Sequence, residues 1–63
     1  MLINITFYDE ENRVNIETGD CTWDFYDTSK YEIDNNGVVS IIDDDEIVRA
    51  KFPFVNCILV FED

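Results

Sequence analysis

Apolar side chains recur at every second position in one short segment after another of this chain, and no stretch carries the sustained three-to-four spacing of an amphipathic helix. A period of two sends alternate residues to opposite faces of an extended strand, so the pattern predicts an all-β fold with one covered face per strand. Ile3, Ile5 and Phe7 alternate with Asn4, Thr6 and Tyr8, and Val14, Ile16 and Thr18 share a face of the next segment. Asp9-Glu10-Glu11-Asn12 lies between them and supplies turn formers, so the two segments are expected to pair as a hairpin. After Gly19-Asp20, Cys21, Trp23 and Phe25 alternate with Thr22, Asp24 and Tyr26, which turns Trp23 and Phe25 inward.

Asp27-Thr28-Ser29-Lys30 reads as an open loop or one short helical turn before the alternating Tyr31-Glu32-Ile33-Asp34. Asn36-Gly37 is the strongest local signal: a two-residue type I′ turn needs positive φ at both positions, which Asn and Gly tolerate best, so a hairpin is expected there, leading into Val38 to Ile42. Asp43-Asp44-Asp45-Glu46 interrupts that strand, which resumes over Ile47 to Phe52. Pro53, having no N–H, belongs at an edge, a bulge or a junction. Phe54 to Phe61 is apolar on both faces, the pattern of a central strand covered on both sides or of one whose second face another subunit buries. The expected architecture is a small antiparallel meander of about five to six short strands, a curled sheet or a small barrel. With no repeat, linker or low-complexity run, residues 1–63 are expected to form one acidic β domain.

Charge sets the second constraint. Fifteen Asp and Glu face four Lys and Arg, a formal charge of -11, yet 46% of the residues are hydrophobic. A disordered acidic tail lacks the apolar residues that offset the entropy of ordering, so the charge belongs on the surface of a folded domain. A chain this short buries roughly 60% of its unfolded surface, and self-repulsion weakens it further, so self-association is expected. Arg13, Lys30, Arg49 and Lys51 are scattered and make no phosphate footprint, which disfavours direct nucleic-acid or anionic-membrane binding. Arg49 and Lys51 are expected to pair with cross-strand carboxylates. The N-terminal segment has neither the basic region nor the apolar run of a signal peptide, and a cytoplasmic location is expected. Cys21 and Cys57 are accordingly expected to stay reduced.

Catalytic groups are scarce. The chain has no His, Ser29 and Ser40 have no base in a recognisable relation to them, and two glycines make no phosphate loop, so enzyme function is not expected. Asp43-Asp44-Asp45-Glu46 invites a calcium site. A calcium loop, however, needs Gly at its sixth and Glu at its twelfth position. Counting from Asp43 gives Val48 and Phe54, and counting from Asp45 gives Ala50 and Asn56. A solvated turn is expected there, with no metal and no cofactor.

Acids and aromatics interleave from Asp20 to Asp34. Trp23 is expected in the core, as the largest apolar side chain of a small domain. Asp24, Tyr26, Asp27, Tyr31, Glu32 and Asp34, with Asp43, Asp44, Asp45 and Glu46, form the candidate partner-binding set, in which carboxylates meet a partner's Arg and Lys around aromatic anchors. Further charge comes from Asp9, Glu10, Glu11 and Glu17, while Phe54, Ile58 and Val60 are the candidate oligomer face. The expectation is a small inhibitory protein that masks a basic surface of a partner, such as a nucleic-acid-processing enzyme. It would act as a DNA or RNA mimic of phage anti-defence or host-takeover type, since strand carboxylates about 7 Å apart approach phosphate spacing. A homo-oligomeric assembly module, with charge serving solubility, is the alternative.

Overall fold

The alternation of the first two segments becomes two central strands. In a computed structural model describing residues 1–63, β1 (Ile3–Tyr8) pairs antiparallel with β2 (Arg13–Glu17), and β2 pairs with β3 (Thr22–Tyr26). β4 (Thr28–Ile33), β5 (Val38–Asp43) and β6 (Val48–Pro53) form a second, antiparallel sheet. A single 3-10 turn, Phe54–Asn56, leads into β7 (Cys57–Glu62), which returns to the first sheet and lies parallel to β1. The sheet orders are β3-β2-β1-β7 and β4-β5-β6. The fold is all-β, as expected, and β1-β2-β3 and β4-β5-β6 each run as an antiparallel meander, but there are seven strands in two open sheets, one of which holds a parallel pair, and they do not close into a barrel.

Register aligns the apolar positions in rows across the first sheet. Ile5 sits opposite Ile16 and Leu59, and Phe7 opposite Val14 and Phe61. Ile3, Ile5, Phe7, Val14 and Ile16 from this sheet and Val39 and Ile41 from the other make one buried cluster, flanked by Phe25, Ala50, Phe52, Cys57 and Leu59. The Phe7, Phe61 and Tyr31 rings close one side, with centroids 5.1 to 5.7 Å apart.

Three hairpin turns share one construction. In each, the fourth residue donates its N–H to the carbonyl of a leading Asp: Asn12 to Asp9 at 3.2 Å, Gly37 to Asp34 at 3.1 Å and Glu46 to Asp43 at 3.0 Å. The fourth residue is left-handed each time, with φ of 49°, 75° and 65°. In the second and third, the Asp Oδ1 accepts the N–H groups two and four residues on: Asn36 and Val38 on Asp34, Asp45 and Ile47 on Asp43. The Asn36-Gly37 hairpin therefore forms, but not through a type I′ turn. Only Gly37 has positive φ, as the last residue of a four-residue turn, Asp34 to Gly37, that the Asp34 side chain stabilises. The Asp43 to Glu46 run is the same device, a turn.

Glu46 occupies the position that glycine fills at Gly37, at about 1–2 kcal/mol of backbone cost for a residue with a Cβ. Its ion pair with Lys30, 2.8 Å but solvent-exposed, returns little. Glu46→Gly is therefore expected to raise Tm by about 2–5 °C, after allowance for glycine's greater unfolded freedom. A fall in Tm in thermal unfolding would mean that the ion pair outweighs the strain.

Several expectations are corrected by strand order. Asp27-Thr28-Ser29-Lys30 is neither loop nor helical turn: Asp27, at φ 55°, is a one-residue corner that moves the chain between sheets, and Thr28 to Lys30 already belong to β4. Trp23 faces inward opposite Ile16, but β3 is an edge strand, and the side chain is 44% exposed rather than in the core. The C-terminal strand is likewise an edge, not a covered central strand. Cys21 and Cys57 are free thiols; Cys57 donates to the Pro53 carbonyl at 3.3 Å, and burial pushes its thiol up. No helix is long and apolar enough to cross a membrane.

Candidate acidic interface

Tracing each strand's direction separates the molecule into two unlike ends. β1 and β7 run to the same end because they are parallel, so Glu62 arrives beside the turn after β1, where its carbonyl accepts the Asp9 N–H at 2.8 Å. The Asp27 corner and the Asp43 turn reach this end from the other sheet. Thr28 N–H donates to Asn12 O at 3.0 Å, Asp44 N–H to Asp27 O at 2.9 Å, and Asn12 Nδ2 to Asp44 Oδ2 at 2.8 Å. Ten of the fifteen carboxylate residues collect here: Asp9 to Glu11, Asp27, Asp43 to Glu46, Glu62 and Asp63. The opposite end carries exposed Met1, Leu2, Phe54 and Val55.

The ten carboxylates are not equivalent. Asp43 is buried, with its Oδ1 on two backbone N–H groups and its Oδ2 taking Arg49 Nε at 2.6 Å. The Ile47 N–H above all holds its carboxyl below the usual range. Desolvation opposes this, while Arg49 and the Asp45 N–H add to it. Glu46 holds Lys30, raising that ammonium's pKa, and Glu11 meets Arg13 at 3.2 Å. Asp9, Glu10, Asp27, Asp45, Glu62 and Asp63 are exposed and take no side-chain hydrogen bond or ion pair.

The residues of the candidate set part company. Asp27, Asp44, Asp45 and Glu46 meet at the acidic end, with the exposed ring of Tyr26 at its corner. Asp34 lies at the opposite end as a turn former. Tyr31 points inward against Phe7 and Phe61, and Glu32 is the last residue but one of β4, toward the opposite end. Asp24 sits on the outer face of the first sheet. There Asn15 at 3.1 Å and Arg13 at 2.7 Å hold its carboxyl low, and Arg13 also stacks 4.1 Å over the Tyr8 ring. Arg49 finds a cross-strand carboxylate as expected, whereas Lys51 makes no ion pair. Asp9, Glu10, Glu11, Glu62 and Asp63 lie outside the candidate set yet share this end. Parallel pairing of β1 with β7 brings Glu62 and Asp63 there, and no local pattern announces it.

A concave feature lies between the free edges of β3 and β6. It is an open groove of about 200 Å³ lined by Ile16, Trp23, Phe25, Ala50, Phe52 and Arg49. No group of three or more acidic or thiol side chains is arranged to hold a metal ion. No protein-family model, curated protein or solved structure matches the chain.

Proposed function

We propose that the protein is a non-enzymatic binding protein whose acidic end masks a basic surface of another protein, such as the nucleic-acid-binding face of a nucleic-acid-processing enzyme. The observation that carries this reading is the convergence of ten carboxylate residues on one end, six of them exposed and unengaged. At the six exposed and unengaged positions a turn or chain end accepts Asn, Ser or Gly as readily, so folding alone does not ask for this much charge at one place. Like charges held together on a rigid frame destabilise the free protein and are relieved when a partner's Arg and Lys arrive, which favours fast, salt-sensitive association.

The test is capture of basic proteins from cell lysate at low and high salt, followed by affinity measurement with the protein recovered. Neutralising Asp9, Glu10, Asp27, Asp45, Glu62 and Asp63 to their amides is expected to weaken binding about tenfold or more. Neutralising Glu17, Asp20 and Glu32 instead is expected to leave most of it. Binding indifferent to salt, or equally affected by both variants, would sink the proposal.

A further inference from the structure

We propose that β7 is a homodimer interface, in which two copies pair their β7 strands antiparallel about a two-fold axis at Leu59 and join their four-stranded sheets into one. β7 is bonded to β1 on one side only. Every other free edge is interrupted by charge: Asp24 in β3, Lys30 and Glu32 in β4, Arg49 and Lys51, with Pro53, in β6. Charges and proline are what keep exposed edges from pairing with another chain. From Cys57 to Phe61 β7 has neither.

The strand is also complementary to itself. Pairing centred on Leu59 sets Ile58 opposite Val60 of the second copy, Val60 opposite its Ile58, and Cys57 opposite its Phe61. Ile58 and Val60 lie on the sheet's outer face, in register with Asn4 and Thr6, and are 42% and 37% exposed. Across the axis they form a four-residue apolar cluster of cross-strand pairs, the unit that stabilises a sheet. A basic peptide, by contrast, finds no carboxylate to read between Cys57 and Phe61.

Charge selects the antiparallel arrangement. It brings Glu62 opposite Asn56 of the second copy, so the two Glu62 residues stand about 20 Å apart at ~3.3 Å per residue. That distance exceeds the Debye length of about 8 Å at physiological ionic strength. The two acidic ends then point in opposite directions. Parallel pairing sets Glu62 beside Glu62 and the acidic ends side by side. The antiparallel pair uses both free β7 edges and closes as a dimer rather than growing.

Sedimentation equilibrium of the full chain across micromolar concentrations tests this. The expected mass is twice the 7.4 kDa of the chain, with association tightening as salt rises because the copies repel less. Partner capture by the acidic end has the opposite salt dependence, so failure of one reading is distinguishable from failure of the other. Ile58→Lys and Val60→Glu are each expected to weaken self-association about tenfold or more, with far-UV circular dichroism unchanged because both side chains are exposed. Mixing the two variants sets the introduced lysine opposite the introduced glutamate and restores a dimer. A single-chain mass at every concentration and salt, or single variants that associate like wild type, overturns the proposal. A mixture that stays monomeric overturns pairing about Leu59.

Discussion

Ile5→Ala is expected to leave the protein largely unfolded at 37 °C, with Tm lowered by at least about 10 °C. Ile5 is fully buried at the centre of the first sheet, between Ile16 on one neighbour and Leu59 on the other. Truncation removes its transfer free energy and leaves a sealed void, about 2–5 kcal/mol together. A domain of this length has about 3–9 kcal/mol in all, and self-repulsion at a charge of -11 puts this one toward the low end. Trp23→Ala removes a larger side chain and is expected to cost less. Its ring is 44% exposed on an edge strand, and its loss only widens a groove already open to water. Thermal unfolding followed by circular dichroism compares the two. If Trp23→Ala proves the more damaging, the groove is covered in the working protein.

The same pair of residues marks how far the sequence can be read. Alternation assigns Ile5, Ile16, Trp23 and Phe25 to the inner side correctly, because parity is a local property of an extended chain. How much lies above an inward residue depends on strand order, which parity does not carry. β1 is central and β3 is an edge, yet their patterns look alike. The C-terminal strand is ambiguous for the converse reason: apolar on both faces, it fits either a central strand or one covered by another subunit, and strand order makes it an edge whose outer residues Ile58 and Val60 remain partly exposed. The acidic end was legible only in pieces. Asp43 to Glu46 reads as a turn from composition, but its meeting with Asp9 to Glu11 and with Glu62 depends on the parallel return of β7 and on the corner at Asp27. The first is a pairing between residues far apart in sequence, and the second is a single positive-φ residue that no composition cue marks.

Carboxylates of identical type are expected to divide by role, and Asp43 provides the sharpest case. Asp43→Ala leaves the Asp45 and Ile47 N–H groups and the Arg49 guanidinium without the buried carboxylate that accepts from all three, and Tm is expected to fall by about 5–10 °C. Asp34→Ala breaks the same two backbone bonds in an exposed turn, where water replaces them, so its fall is expected to be about half as large or less. The folded-state pKa of Asp43 lies below its ordinary value of 3.8, so its contribution is fully present above that value and is lost as pH falls through the folded-state pKa. The Tm gap between wild type and Asp43→Asn is therefore expected to hold from pH 7 down to about 4 and to close below it. Because Asp43 is engaged with its own turn, Asp43→Asn is expected to lower stability while leaving partner affinity at the acidic end unchanged at temperatures where the variant is folded. The amides of Asp45 and Glu10 are expected to do the reverse. If Asp43→Asn instead weakens binding with no loss of Tm, the carboxylate serves the partner rather than the turn.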